Sequence, residues 1–218
     1  DSHKNLTHIY VTHGHPDHYF GADVLKAAFP KAKLVALPET VAEIQKTAKA
    51  KVAQWKPLYG ANLTDKPLVP EVLKTRSLTI EGETLELVGP VPGDSEHNTP
   101  VWIPSLKTVI AGDVVYAGVH PWTAETRAES RKAWAATLDG LAARSPVAVV
   151  PGHQKADLKS DPAAIGFVKA YLADFDAALK ELIVELMDSE LVAGDDARRK
   201  DHRIALPKRD IAVFAARN

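Results

Sequence analysis

Cysteine is absent from the 218 residues. Its absence excludes three chemistries at once: a disulfide framework, a thiolate-ligated zinc site and a cysteine nucleophile. A chain without thiols suits cytoplasm and periplasm equally, so the compartment stays open. No apolar run reaches 18 residues, so no segment reads as a membrane-spanning helix. Charge of one sign is not in surplus either: 27 Lys and Arg stand against 28 Asp and Glu, a net charge of −1. Nucleic acids and anionic membrane surfaces are gripped by a basic excess, which this chain does not have. The expected partner is therefore a small-molecule substrate, with no nucleic acid and no membrane; a homodimer is compatible with the same composition. Apolar residues make up 45% of the chain, enough to bury one good core or a core with a small cap.

What the sequence does have is concentrated histidine. His13-Gly14-His15-Pro16-Asp17-His18 packs three imidazoles and a carboxylate into six residues. His13 and His15, at i and i+2 on a turn, can face one point, and Asp17 and His18 a second point beside it. Imidazole suits Zn, Fe or Mn, and a carboxylate adds a hard oxygen ligand, so the run reads as part of a two-metal cluster. The plain alternative is a polar loop after a strand, and the spacing argues against it.

The elements around this motif alternate. Leu6 to Val11 reads as a strand that delivers it, and Gly21 to Phe29 as a short helix stopped by Pro30. Lys33 to Leu37 is a second strand. Pro38 opens a helix whose apolar stripe is Val41, Ile44, Ala48, Val52 and Trp55. Pro57 to Pro70 reads as a loop. Two hairpins follow, Leu78–Ile80 with Leu85–Leu87, then Val101–Ile103 with Val109–Ala111. The second leads into Gly112-Asp113. A helix is expected from Glu125 to Ala143, with Trp134, Leu138 and Leu141 inward. An apolar strand, Val147 to Val150, then ends at Pro151-Gly152-His153. Asp161 to Leu191 reads as helical, in two pieces around Asp174. One domain over 1–193 takes in these helices, and 194–218 is a charged, solvated tail. Strands alternating with helices, each metal-type residue at a strand's C-terminal end, indicate a layered α/β protein with its site at one sheet edge.

The H-x-H-x-D-H run at a strand end resembles the hallmark of the metallo-β-lactamase superfamily of metallohydrolases, and the resemblance extends from about Leu6 to His153. It implies an αββα sandwich, partial here because only Asp1 to Thr7 precede the motif where members carry further strands; a targeting segment would also lie ahead of Asp1. It implies that His13, His15 and a later residue hold one metal, and that Asp17, His18 and His153 hold another. Asp113 takes the role of the carboxylate that bridges both. Two Zn2+ per chain are expected, with Fe or Mn as the other choices. A carboxylate at the bridge also separates this chain from the β-lactamase branches that place Cys there.

One stretch departs from the family pattern. Members read H-[ST]-x-G-[ST]-x-x-x-x-x-P ahead of the bridging Asp, and here the matching run is Asp94 to Pro104. Alignment on Ser95 and Pro104 puts Asp94 in the ligand slot and His97 where the pattern has Gly. Three readings stay open: Asp94 ligates, the loop is reshaped and His97 ligates, or the first metal is weakly held or absent. Tyr116 lies three residues past Asp113, as a Tyr does in lactone-cleaving members, which makes it a candidate oxyanion donor. Its plain reading is a half-buried aromatic. His120-Pro121-Trp122 could wall the pocket, while His3, His8 and His202 are assigned no function.

The expected function is that of a metal-dependent hydrolase. A metal-activated hydroxide attacks a cyclic ester, thioester or amide of a small molecule, and Asp113 or Asp17 passes the proton to the leaving group. A lactonase-like reaction is favoured by Tyr116 and the aromatic residues near it. The alternatives are a mononuclear iron dioxygenase of the same fold and a non-catalytic binding member with a degraded first metal site. The balanced charge argues against a nuclease.

Overall fold

Alternating β-branched and aromatic residues build a short first strand, β1 (His8–Tyr10), that stops just short of the histidine motif. In the computed structural model, which describes residues 4–193 (side chains to 186), β1 pairs in parallel with β2 (Lys33–Ala36). Two crossover helices make such parallel pairing possible. α1 (Ala22–Ala28) joins β1 to β2 and stops ahead of Pro30. α2 (Pro38–Tyr59) leads from β2 towards β3 (Glu71–Val72), which completes a three-stranded sheet in the order β1-β2-β3.

α2 begins with Pro38 in its first turn, where a missing N–H costs nothing. It runs past the expected boundary: Pro57 lies inside the helix, and the loop begins only after Tyr59. Pro57 forfeits one hydrogen bond in the last turn, and the helix ends with the Gly60 N–H donating to the Lys56 carbonyl. The stripe of α2 is buried as its spacing indicates. Val41 and Ile44 pack with Val11, Phe20, Leu34 and Ala36, and Ala48, Val52 and Trp55 lie against that cluster.

The second sheet has five strands in the order β4-β5-β6-β7-β8: β4 (Ser77–Ile80), β5 (Glu83–Leu87), β6 (Val101–Ile103), β7 (Thr108–Ala117) and β8 (Ala148–Gln154). Both expected hairpins are present. β4 turns into β5 through Glu81-Gly82, both at positive φ, which suits the right-handed twist of a two-residue turn. β7 and β8 are parallel and are joined by α3 (Ala128–Ala142).

α3 starts three residues later than its pattern indicates. The Arg127 N–H donates to Ser130 Oγ at 2.8 Å and sets the helix start there, which leaves Glu125 in the preceding loop. Trp134, Leu138 and Leu141 are buried, and the Trp134 indole N–H donates to the Val114 carbonyl at 2.8 Å. The helix is thereby pinned to β7. Leu37, Leu87 and Val101 cluster with Tyr10, Leu73 and Ile103, which brings the two sheets face to face. Helices α1 and α2 on one side and α3 on the other complete the αββα order.

Two site strands differ from expectation. Asp113 and His153 do not end their strands; β7 continues to Ala117 and β8 to Gln154, with irregular register on either side of Gly112. Gly112 adopts φ +53°, which permits a bulge that turns Asp113 out of regular pairing. The C-terminal helical stretch is a single helix, α4 (Ala163–Ala193), and not two pieces around Asp174. No Gly or Pro lies near Asp174 to break it. The chain divides into two compact units, Asp1–Lys169 and a second from Ala170 onward, and the site lies in the first. The charged tail 194–218, with His202, and also His3 lie outside the described residues. No helix among the described residues is long and apolar enough to cross a membrane.

Candidate metal centre

The histidine motif is a loop that tightens into one 3-10 turn, Pro16–His18. Pro16 presets the turn, and the N–H groups of Tyr19 and Phe20 both reach the Pro16 carbonyl. Tyr19, Phe20 and Ala22 then plug into the core and anchor the loop. A second loop, between β5 and β6, is closed by paired backbone hydrogen bonds between Val91 and Asn98. The Thr99 N–H donates to the Thr12 carbonyl at 2.9 Å, so this loop is stitched to the first. Asp94 sits at its bend, fully buried.

Seven of the eight candidate ligands converge in two groups. The first is His13, His15, Asp94 and Asp113; the second is Asp17, His18 and His153. In the first, His15 Nδ1 lies 2.8 Å from Asp94 Oδ2, and His13 Nε2 lies 3.9 Å from Asp94 and 3.8 Å from Asp113. In the second, His153 Nε2 and His18 Nε2 approach Asp17 Oδ2 at 3.0 and 3.3 Å. Asp113 faces both groups: Oδ1 is 3.1 Å from His18 Nε2, and Oδ2 is 3.3 Å from His153 Nε2. His97, the other ligand considered for the first metal, belongs to neither group. It lies half-buried on the Asp94 loop.

The donor set fits divalent metal. His13 Nε2, His18 Nε2 and Asp113 Oδ1 are buried with no hydrogen-bond partner among the described residues. His18 Nε2 and Asp113 Oδ1 face each other at 3.1 Å as an ion pair. A buried polar atom left unmatched costs about 1–3 kcal/mol, so three around one space point to a ligand that takes their lone pairs. Imidazole nitrogen and carboxylate oxygen together suit Zn, Fe or Mn.

Protons set the charges within the cluster. Burial pushes the His13 imidazole down to about 3, helped by the neighbouring His18, so His13 stays neutral. Burial opposes charge on His15 too, yet Asp94 and Glu125 outweigh it and raise it to about 9. Burial likewise loses to Asp113 and Asp17 at His18, raised to about 9. At His153, hydrogen bonds to Asp113 and Asp17 raise it to about 10. Burial of Asp17 and Asp113 is overcome by these imidazoles, which hold both carboxyls well below the usual range. Three imidazolium charges thus face the lowered carboxyls of Asp17 and Asp113, while burial pushes the Asp94 carboxyl up.

Two pH effects follow. Metal uptake at pH 7 is expected to release two to three protons per chain, read with an indicator dye in weak buffer; uptake without proton release would contradict these charges. A pKa raised on folding stabilises fully below the unfolded value and is lost as pH rises through the folded one. The metal-free protein is therefore expected to lose stability between about pH 6.5 and 10, as His15, His18 and His153 deprotonate.

Tyr116 stands differently from an open oxyanion donor. Its hydroxyl donates to Asp113 Oδ2 at 2.7 Å and lies 3.3 Å from Asp94 Oδ2, and its ring stacks on His153. Burial, then the two carboxylates, hold the phenol proton on well above the ordinary range. Three supporting residues went unread in the sequence. Asn98 Nδ2 donates to Asp94 Oδ1 at 3.1 Å, leaving Oδ2 for the site; its spacing of four from Asp94 was the available signal. Glu125 reaches His15, and Lys51 reaches Glu125, from distant segments, and nothing local marks them.

A cavity of about 750 Å³ opens beside the cluster, lined at its far side by Phe20, Trp55, Tyr59 and Trp122. His120 lies in the same wall. Lys51 and Glu125 also line it and pair with each other at 3.1 Å, the second Glu125 oxygen lying 3.4 Å from His15.

Comparisons bear on both fold and site. The model of the metallo-beta-lactamase superfamily matches residues 2–153, a span that contains every residue of both groups. No curated protein matches the chain. Among solved structures, the metallo-beta-lactamase from Pontibacter korlensis is 19% identical with a TM-score of 0.56, covering 77% of this chain and 69% of that one. A metallo-beta-lactamase family protein from Thermus thermophilus is 21% identical with a TM-score of 0.57, covering 83% and 64%. The metallo-beta-lactamase FIM-1 from Pseudomonas aeruginosa, in its mono-zinc form, is 14% identical with a TM-score of 0.54, covering 77% and 66%. At these identities the likeness is one of fold.

Proposed function

The chain belongs to the metallo-β-lactamase superfamily, whose members are generally metal-dependent hydrolases, and on that premise we propose that it hydrolyses a cyclic ester, thioester or amide of an uncharged small molecule, lactones foremost. The observation that carries this reading is the convergence of seven metal-type side chains, three with orphaned buried atoms, beside an aromatic-walled cavity. His13, His15 and Asp94 would hold one ion, Asp17, His18 and His153 the other, with Asp113 between them. Two Zn2+, or Mn or Fe in their place, would supply Lewis acidity and a hydroxide source near neutral pH if held there.

The chain's own residues supply the rest. Asp17 is the most open carboxylate of the cluster, its side chain 55% exposed, and it lines the cavity. It is placed to carry a proton to a leaving group. Tyr116 holds Asp113 in orientation through its hydrogen bond, and His153 through ring stacking. Phe20, Trp55, Tyr59 and Trp122 exclude water and favour an apolar or aromatic substituent. With Lys51 neutralised by Glu125, the far side offers no free charge to a polyanion.

The test is turnover by Zn- and Mn-loaded protein on neutral lactones, thioesters and cyclic amides beside phosphodiesters. Lactone hydrolysis is expected, and Asp17→Asn, compared with wild type at equal metal content, should slow it by about 10²–10⁴-fold, the usual range for a general acid or base. Cleavage of phosphodiesters alone would overturn the reading. One observation favours a second reading: each group offers two imidazoles and a terminal carboxylate, a donor set also used by non-haem iron oxygenases. Iron-dependent dioxygen consumption without hydrolysis would select it.

A further inference from the structure

His15 is gripped on both ring nitrogens. Nδ1 lies 2.8 Å from Asp94 Oδ2, and Nε2 lies 3.4 Å from Glu125 Oε2. The other Glu125 oxygen accepts a hydrogen bond from Lys51 Nζ at 3.1 Å. Lys51 comes from α2 and Glu125 from the loop ahead of α3, so two elements outside the ligand loops converge on one imidazole. His13 follows the same plan, with Nε2 towards the cluster and Nδ1 3.1 Å from Thr12 Oγ1.

We propose that Glu125 is a positioning residue for metal capture: it accepts and keeps the Nε2–H of His15, so that the nitrogen an incoming ion takes is Nδ1 beside Asp94, and is itself held by Lys51. The inference rests on the metal-site reading above. An imidazole offers a metal one nitrogen only when the other carries the proton, and a partner on the second nitrogen decides which. A carboxylate partner also makes the ring more basic than a neutral one does. This matters at His15, because Asp94 supplies a second carboxylate at Nδ1 and a misplaced proton there would leave no lone pair for an ion. The Lys51–Glu125 pair is partly exposed, with side-chain exposures of 23% and 40%, so it adds little to stability and can be altered without unfolding the site.

The experiment compares wild type, Glu125→Leu, Glu125→Gln and Lys51→Gln in full-length protein. Zn2+ affinity is read by chelator competition, and the His15 tautomer by nitrogen NMR of the zinc-loaded, histidine-labelled chain. The binding step lost in Asp94→Ala identifies the first site. Glu125→Leu is expected to weaken that step about 10–100-fold and to mix the His15 tautomers. Glu125→Gln keeps an acceptor oxygen, so it should keep the tautomer and fall between Leu and wild type in affinity. Lys51→Gln should weaken the same step less than Glu125→Leu does. The second step should not move, and the metal-free protein should keep its far-UV spectrum. First-site affinity within twofold of wild type in Glu125→Leu, with one His15 tautomer retained, overturns the inference and leaves the metal-site reading intact. Equal weakening of both steps with an altered far-UV spectrum also overturns it, because Glu125 would then be merely structural. A wild type that binds no divalent ion overturns both readings.

Discussion

Gly152→Ala is expected to empty both metal positions and abolish hydrolysis, although it adds a single methyl group. A Cβ on residue 152 would fall 1.9 Å from Asp113 Oδ1 and 2.7 Å from the Gly112 carbonyl carbon. Neither neighbour can yield cheaply. Gly112 is backbone at φ +53°, and its own Cβ position is closed by Thr12 Oγ1 at 2.9 Å. Asp113 has a short side chain already bonded to Tyr116. Either β8 moves away from β7 or Asp113 rotates out, and both lose the carboxylate that faces the two groups. Overpacking of this kind costs about 1–3 kcal/mol, which leaves most domains folded. Metal per chain, by plasma mass spectrometry of the purified variant, should fall from two towards none with the far-UV spectrum intact. Retention of both metals would mean that Asp113 does not bridge them.

Asp94→Ala is expected to remove one metal of the two, and His97→Ala to remove neither. Asp94 is buried, its Oδ1 taken by Asn98 and its Oδ2 aimed at His15. Removing it leaves His13 and His15 with only the shared Asp113. The other group, Asp17, His18 and His153, keeps all its donors and should still fill. A carboxylate in this slot adds negative charge, lowers Lewis acidity and favours harder ions such as Mn or Fe. Asp94→His should therefore shift the metal recovered at this position towards Zn. If His97→Ala empties a site and Asp94→Ala does not, the ligand assignment of this loop is reversed.

How legible these features were depended on how local they are. His13 to His18 stand out because six neighbouring residues carry four of the seven donors, two for each group, and a turn is enough to aim them. Asp113 and His153 were legible as residues that follow a glycine after an apolar strand. That both lie within longer strands was not, since the bulge comes from Gly112 at positive φ against a parallel neighbour, a tertiary feature. The two hairpins and the α2 stripe follow from period and turn residues alone. The end of α2 was misjudged because Pro57 falls in the last turn, where losing one N–H is tolerable. The layer order came from family resemblance, as periodicity does not specify how sheets stack. Glu125 was hidden in what reads as the first turn of α3, and 110 residues separate it from His15.

The central claim, that two metal positions share Asp113, is tested most directly by anomalous diffraction from crystals of protein purified without chelator. The account predicts two peaks. One lies among His13 Nε2, His15 Nδ1 and Asp94, the other among Asp17, His18 Nε2 and His153 Nε2, with Asp113 within bonding distance of both. A map with no peak within bonding distance of these residues, or one whose first-site ion is bound by His97 instead of Asp94, would contradict it.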